Sequence, residues 1–138
     1  MALSTPILTS VKNYLGIHKE DESFDEILID NTKMSILEMT DIGVIDDADG
    51  ESDFSEVTNK TTWEEVMRKL YPRLDSKVKN LLPYVETFIC ISVRLLFDPP
   101  ASQMILQMLK DKKNELIYRL NRHLDETTWT GGDKNGRD

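Results

Sequence analysis

The chain is predicted to be all-α: a small helical bundle that closes with two long antiparallel helices. Three observations predict this. Apolar residues recur in helical phase from Val78 to Leu96 and again from Ile105 to Leu124. Capping-box spacings stand at Ser23/Glu26 and Thr62/Glu65. The greasiest run, Tyr84 to Phe97, stops at Asp98-Pro99-Pro100, where neither proline offers an amide hydrogen and Pro99 pushes Asp98 out of helical angles.

Taken in order, Thr5-Pro6 reads as a helix start, with an oxygen-bearing cap followed by a first-turn proline. The stripe Ile7, Val11, Tyr14 and Leu15 follows it and ends at Gly16. A second helix is expected from Phe24 to Ile42, ending at Gly43. Its main stripe is Phe24, Ile27, Leu28, Met34, Met39 and Ile42, while Ile29 and Ile36 lie on another side. That second side needs a cover, either within the domain or from a neighbouring subunit. Residues 44–60 read as a solvated acidic loop. Thr62 then caps a short helix carrying Trp63, Val66, Met67 and Leu70, with Trp63 as a packing anchor and Pro72 as its breaker.

The apolar phase runs unbroken across Pro83, which predicts one kinked helix from about Ser76 to Phe97. The alternative places Pro83 in the first turn of a separate helix. Val85, Phe88, Ile89, Cys90, Ile91, Val93, Leu95, Leu96 and Phe97 point in nearly every direction around this helix, more than one short bundle can cover, so self-association is expected. The last helix is expected over Ser102 to Asp125, with Ile105, Leu109, Leu116, Leu120 and Leu124 on one face and the stems of Lys112 and Lys113 laid along a neighbour.

At 138 residues and 39% hydrophobic composition the chain fits one helical domain, residues 1–125, followed by a polar tail at 126–138 expected to be flexible. Its start lacks the features of a secretory signal and reads as retained. The run from Tyr84 to Phe97 is too short and too charged for a membrane span. Cys90, the single cysteine, reads as a small buried hydrophobe suited to a reducing cytoplasm. Charge is uneven: Glu20 to Glu56 holds 14 of the 25 acidic residues against the one base Lys33, and the net charge is −8. That balance opposes a protein that grips nucleic acid through its phosphates.

Raw material for catalysis is thin. His18 and His123, the two histidines, stand in polar surroundings, and no phosphate-cradling glycine loop or zinc pattern is present. Asp46-Asp47-Ala48-Asp49-Gly50-Glu51 imitates a calcium loop, but the EF-hand register places Ile45 at the first ligand position, so no metal or other cofactor is expected. Arg94 is placed to pair with Asp98, with Glu86 or across a subunit boundary, or to reach water from the helix edge. A small helical DNA-binding regulator, with a helix-turn-helix beginning at Trp63 to Tyr71, is the rival reading; the missing basic stripe stands against it.

The string Val93 to Pro100, VRLLFDPP, preceded by Tyr84-Val85 and followed by Tyr118-Arg119-Leu120-Asn121, resembles the head-tail connector (adaptor) proteins of tailed bacteriophages. Ala2-Leu3-Ser4-Thr5 to Leu15-Gly16 and Phe24-Asp25 to Ile42-Gly43 are similar to that family's first two helices, so the likeness covers the chain to about Asp125. The Leu81-Leu82-Pro83 region and the long acidic loop depart from the common pattern.

The resemblance implies a non-enzymatic head-completion protein of the virion, assembled in the host cytoplasm. Such a protein forms a dodecameric ring under the portal, extends the DNA channel without binding the passing genome specifically, and docks a downstream stopper or tail-completion protein. The subunit interface is then expected at Ile29, Ile36, Phe88, Ile91, Arg94 and Phe97, and the portal contact at Thr128, Trp129 and Thr130. Asp98, Pro99 and Pro100 form the helix-terminating motif.

Overall fold

Pro6 leads into α1 (Ile7–Leu15) from extended backbone, φ −62° and ψ 141°. The structure, a computed structural model, describes residues 3–41, 57–71 and 79–129, with side chains for all of these except 40, 41 and 123–129. The Asp46 to Glu51 cluster, most of the acidic loop, Ile42-Gly43, Pro72 and the tail from Thr130 onward lie outside the described residues. Thr5, expected to cap α1 with its hydroxyl, instead contributes its carbonyl, which accepts from the Trp63 amide at 3.1 Å; no side chain caps this helix. Gly16 ends it in the left-handed region at φ 78°, with the Ile17 amide closing back on the Lys12 carbonyl at 2.9 Å.

A turn in which the Asp21 carboxylate accepts the Ser23 amide at 3.0 Å leads into α2 (Asp25–Asp41). Its inward stripe differs from the expected one: Leu28, Thr32, Ser35, Ile36 and Met39 are buried, whereas Phe24, Ile27 and Met34 stand out in solvent. The reason lies in the two hydroxyls. Thr32 donates to the Leu28 carbonyl at 2.8 Å and Ser35 to the Asn31 carbonyl at 2.9 Å, so both enter the core already satisfied by their own helix.

Residues 3–7 run beside 61–64: the Ile7 amide donates to the Thr61 carbonyl and the Glu64 amide to the Leu3 carbonyl, each at 2.9 Å. This pairing delivers α3 (Trp63–Leu70), whose start carries both halves of the Thr62/Glu65 capping box. Trp63 is wholly buried and its indole Nε1 donates to Ser10 Oγ of α1 at 2.8 Å. Val57, placed by the sequence in the solvated loop, is buried too.

α4 (Leu82–Phe97) is a separate helix, not the second half of a kinked one. The chain turns at Asn80-Leu81, and Pro83 occupies the first turn, where a missing amide costs no intrahelical bond. It ends when Asp98 leaves helical angles at φ −149° and ψ 70°. Val85, Phe88, Ile89, Cys90, Ile91, Ser92 and Val93 are all buried. Their cover comes from the chain itself, because α4 is the central helix, packed on α2, on α5 (Gln103–Trp129) and on α1. Each large side chain buried this way stabilises by roughly 1.5–3 kcal/mol.

The Ser102 hydroxyl accepts the Ile105 amide at 3.4 Å where α5 begins. That helix, 27 residues long, continues past the expected end at Asp125 through Trp129, since propagating a helix adds one backbone bond for each residue ordered. It buries Leu116 and Leu120 but leaves Ile105, expected on the same face, exposed. The described residues thus form five helices and no strand.

Candidate functional site

With α4 enclosed, the surplus apolar surface lies on the two helices that flank it. Along α2, Ile27, Met34 and Leu37 point away from the buried stripe and are exposed, as is Phe24 just before it. Along α5, Met104 and Met108 sit one turn apart, 74% and 61% exposed, away from the buried Leu116 and Leu120. Phe24 meets Phe97 edge-on, with centroids 5.4 Å apart, which joins the start of α2 to the end of α4.

Between these helices lies a groove of about 390 Å³, walled by Met34, Leu37 and Glu38 of α2 and by Lys113 of α5, and floored by Ser92, Leu95 and Leu96 of α4. Lys113 is fixed there by two contacts. Its Nζ lies 2.8 Å from Glu38 Oε1 and 5.3 Å from the centroid of the Phe88 ring. At the floor the Ser92 hydroxyl is buried without a hydrogen-bond partner among the described residues. The groove is mostly apolar, with one charged pair, Glu38 and Lys113, in its lining.

The residues the sequence assigned to a subunit interface divide into two groups. Ile36, Phe88 and Ile91 are buried in the chain's own core, whereas Ile29, Arg94 and Phe97 are half-buried. Thr128 and Trp129 fall in the last turn of α5, and Thr130 lies outside the described residues. Asp98 and Pro99 are exposed at the corner between α4 and α5. Lys112 pairs with Glu115 on the surface of α5 at 3.2 Å, and only Lys113 lies along a neighbouring helix.

Arg94 faces α1. Burial pushes the Tyr14 phenol above its usual range, and the Arg94 guanidinium, hydrogen-bonded to it, opposes that rise. One turn further in, burial pushes the Cys90 thiol up to about 12, with Glu86 adding to the effect. The Glu86 carboxyl is itself raised by burial. A thiol held in this form is a packing group, not a nucleophile. Among the described residues no three His, Cys, Asp or Glu side chains converge to hold a metal ion, and no helix is long and apolar enough to cross a membrane.

One buried cation escaped the sequence reading. Lys12 is 4% exposed; its ammonium pairs with Asp25 and donates to the Lys19 carbonyl at 3.2 Å, tying α1 to the start of α2. Its spacing from Leu8 and Leu15, on one helical face, was the available signal. Lys113 was expected along a neighbour, but its partner, Glu38 of α2, is revealed only by the tertiary structure. On α3, Val66, Met67 and Leu70 turn inward and the exposed positions are Glu65, Arg68 and Lys69, which is no basic stripe.

Compared with known proteins, residues 7–127 match the family model described as phage connector protein. No curated protein and no solved structure matches the chain.

Proposed function

We propose a role that starts from what the chain is: it belongs to the phage connector protein family. It serves as a structural head-completion protein of the virion, without catalysis. Copies assemble into a dodecameric ring beneath the portal, which lengthens the DNA channel and presents a platform to a downstream stopper or tail-completion protein. The observation that carries this reading is the family match over residues 7–127, and the apolar surface left on α2 and α5 supports it. A closed ring uses such surface economically, because each copy offers two different faces to two neighbours.

The acidic balance fits a channel component. With a net charge of −8, a wall built from this chain repels the phosphate backbone and lets the genome pass without gripping it. Ile29, Arg94 and Phe97, half-buried in the single chain, are the members of the expected interface set still available to a neighbour. The buried Ile36, Phe88 and Ile91 act indirectly by shaping the surface above them. Thr128, Trp129 and Thr130 are proposed to contact the portal.

Light scattering of the purified chain, alone and with purified portal protein, tests the reading. A defined ring mass in either condition supports it. A monomer in both, together with a salt-dependent shift of DNA mobility at physiological ionic strength, would replace it with a DNA-binding role.

A further inference from the structure

We propose that the back of α5 around Met104 and Met108 is a ridge that seats in the groove of a second copy, against Met34, Leu37 and Leu96. This rests on the ring reading above and adds which two faces meet. Met104 and Met108, one turn apart, are 74% and 61% exposed. The groove is the matching concave surface, with Met34 57% and Leu96 55% exposed in its lining. Unbranched methionines adapt to such a groove.

Charge decides between the possible pairings. The outward side of α2 carries Glu26 and Asp30, both exposed, with Lys33 half-buried beside them. The back of α5 carries Lys112, Arg119 and Arg122 against Asp111 and Glu115. Pairing α2 with α2 sets acid against acid, whereas pairing α2 with α5 of the next copy sets an acidic flank against a net basic one. The favoured contact is therefore head-to-tail, the kind that closes into a ring.

Paired cysteines test this in the full chain. Met34→Cys with Met108→Cys, oxidised under assembling conditions, should give a ladder of covalent oligomers. Neither single variant should exceed the wild type, whose only thiol, Cys90, is buried. Leu37→Cys with Met104→Cys covers a shift in register. A symmetric dimer from a single variant, or a ring by light scattering with no ladder from either pair, overturns the face assignment while leaving the ring intact. A monomer with and without portal overturns the ring and this inference with it.

Discussion

Trp63 and Ser10 show how one contact between distant residues organises the first half of the chain. The indole is fully buried, so its N–H must find a partner inside, and Ser10 Oγ at 2.8 Å provides it. Ser10→Ala leaves that donor unsatisfied and should lower stability by about 1–3 kcal/mol, measured by urea denaturation; an unchanged midpoint would show that the bond is dispensable. Cys90 gives a pH prediction. Its thiol is raised from 9.0 to about 12 by burial, so the unfolded chain releases this proton first as pH rises. The contribution is fully present below pH 9.0 and is lost on the way to pH 12. Wild type should therefore lose more stability than Cys90→Ala between pH 8 and pH 10.5, by about 1–2 kcal/mol; parallel losses in the two proteins would refute the assignment.

At the scale of elements, helix ends do much to place the bundle. Gly16 at φ 78° turns the chain out of α1, and a Cβ built there meets nothing within 4 Å. Gly16→Ala should consequently cost about 1–2 kcal/mol through backbone conformation alone, with no packing penalty added, read from the shift in thermal midpoint. Pro83 acts in the opposite sense: in the first turn of α4 it opens a helix where the sequence phase implied a bend. α5 shows a third behaviour. One end is packed through Leu116 and Leu120, while the other exposes Met104 and Met108.

At the scale of the whole molecule, a buried central helix sits between two flanking helices that each carry exposed apolar residues. If the last turn of α5 docks on the portal, Trp129→Ala should weaken portal attachment about tenfold or more, as loss of an aromatic anchor does, while leaving the helical circular-dichroism signal intact. Binding to immobilised portal provides the measurement, and an unchanged affinity would remove Trp129 from the contact.

How much of this was legible beforehand varies with the physics involved. Residue order alone determined the all-helical class, the family, the stop at Gly16, the capping box at Thr62 and the inward anchor Trp63, because caps, left-handed glycines and bulky aromatics act through their immediate neighbours. It placed Leu28 and Met39 of α2 inward correctly but not Phe24, Ile27 and Met34, since Thr32 and Ser35 satisfy their hydroxyls within their own helix and so count as core. It also took the many-sided apolar surface of α4 as a need for sister subunits. Only the tertiary structure decided that α1, α2 and α5 supply that cover, that Lys113 crosses to Glu38, and that the unshielded surface lies on the flanks. Periodicity reveals which residues share a side of a helix; what stands opposite that side is set by packing between segments far apart in the chain.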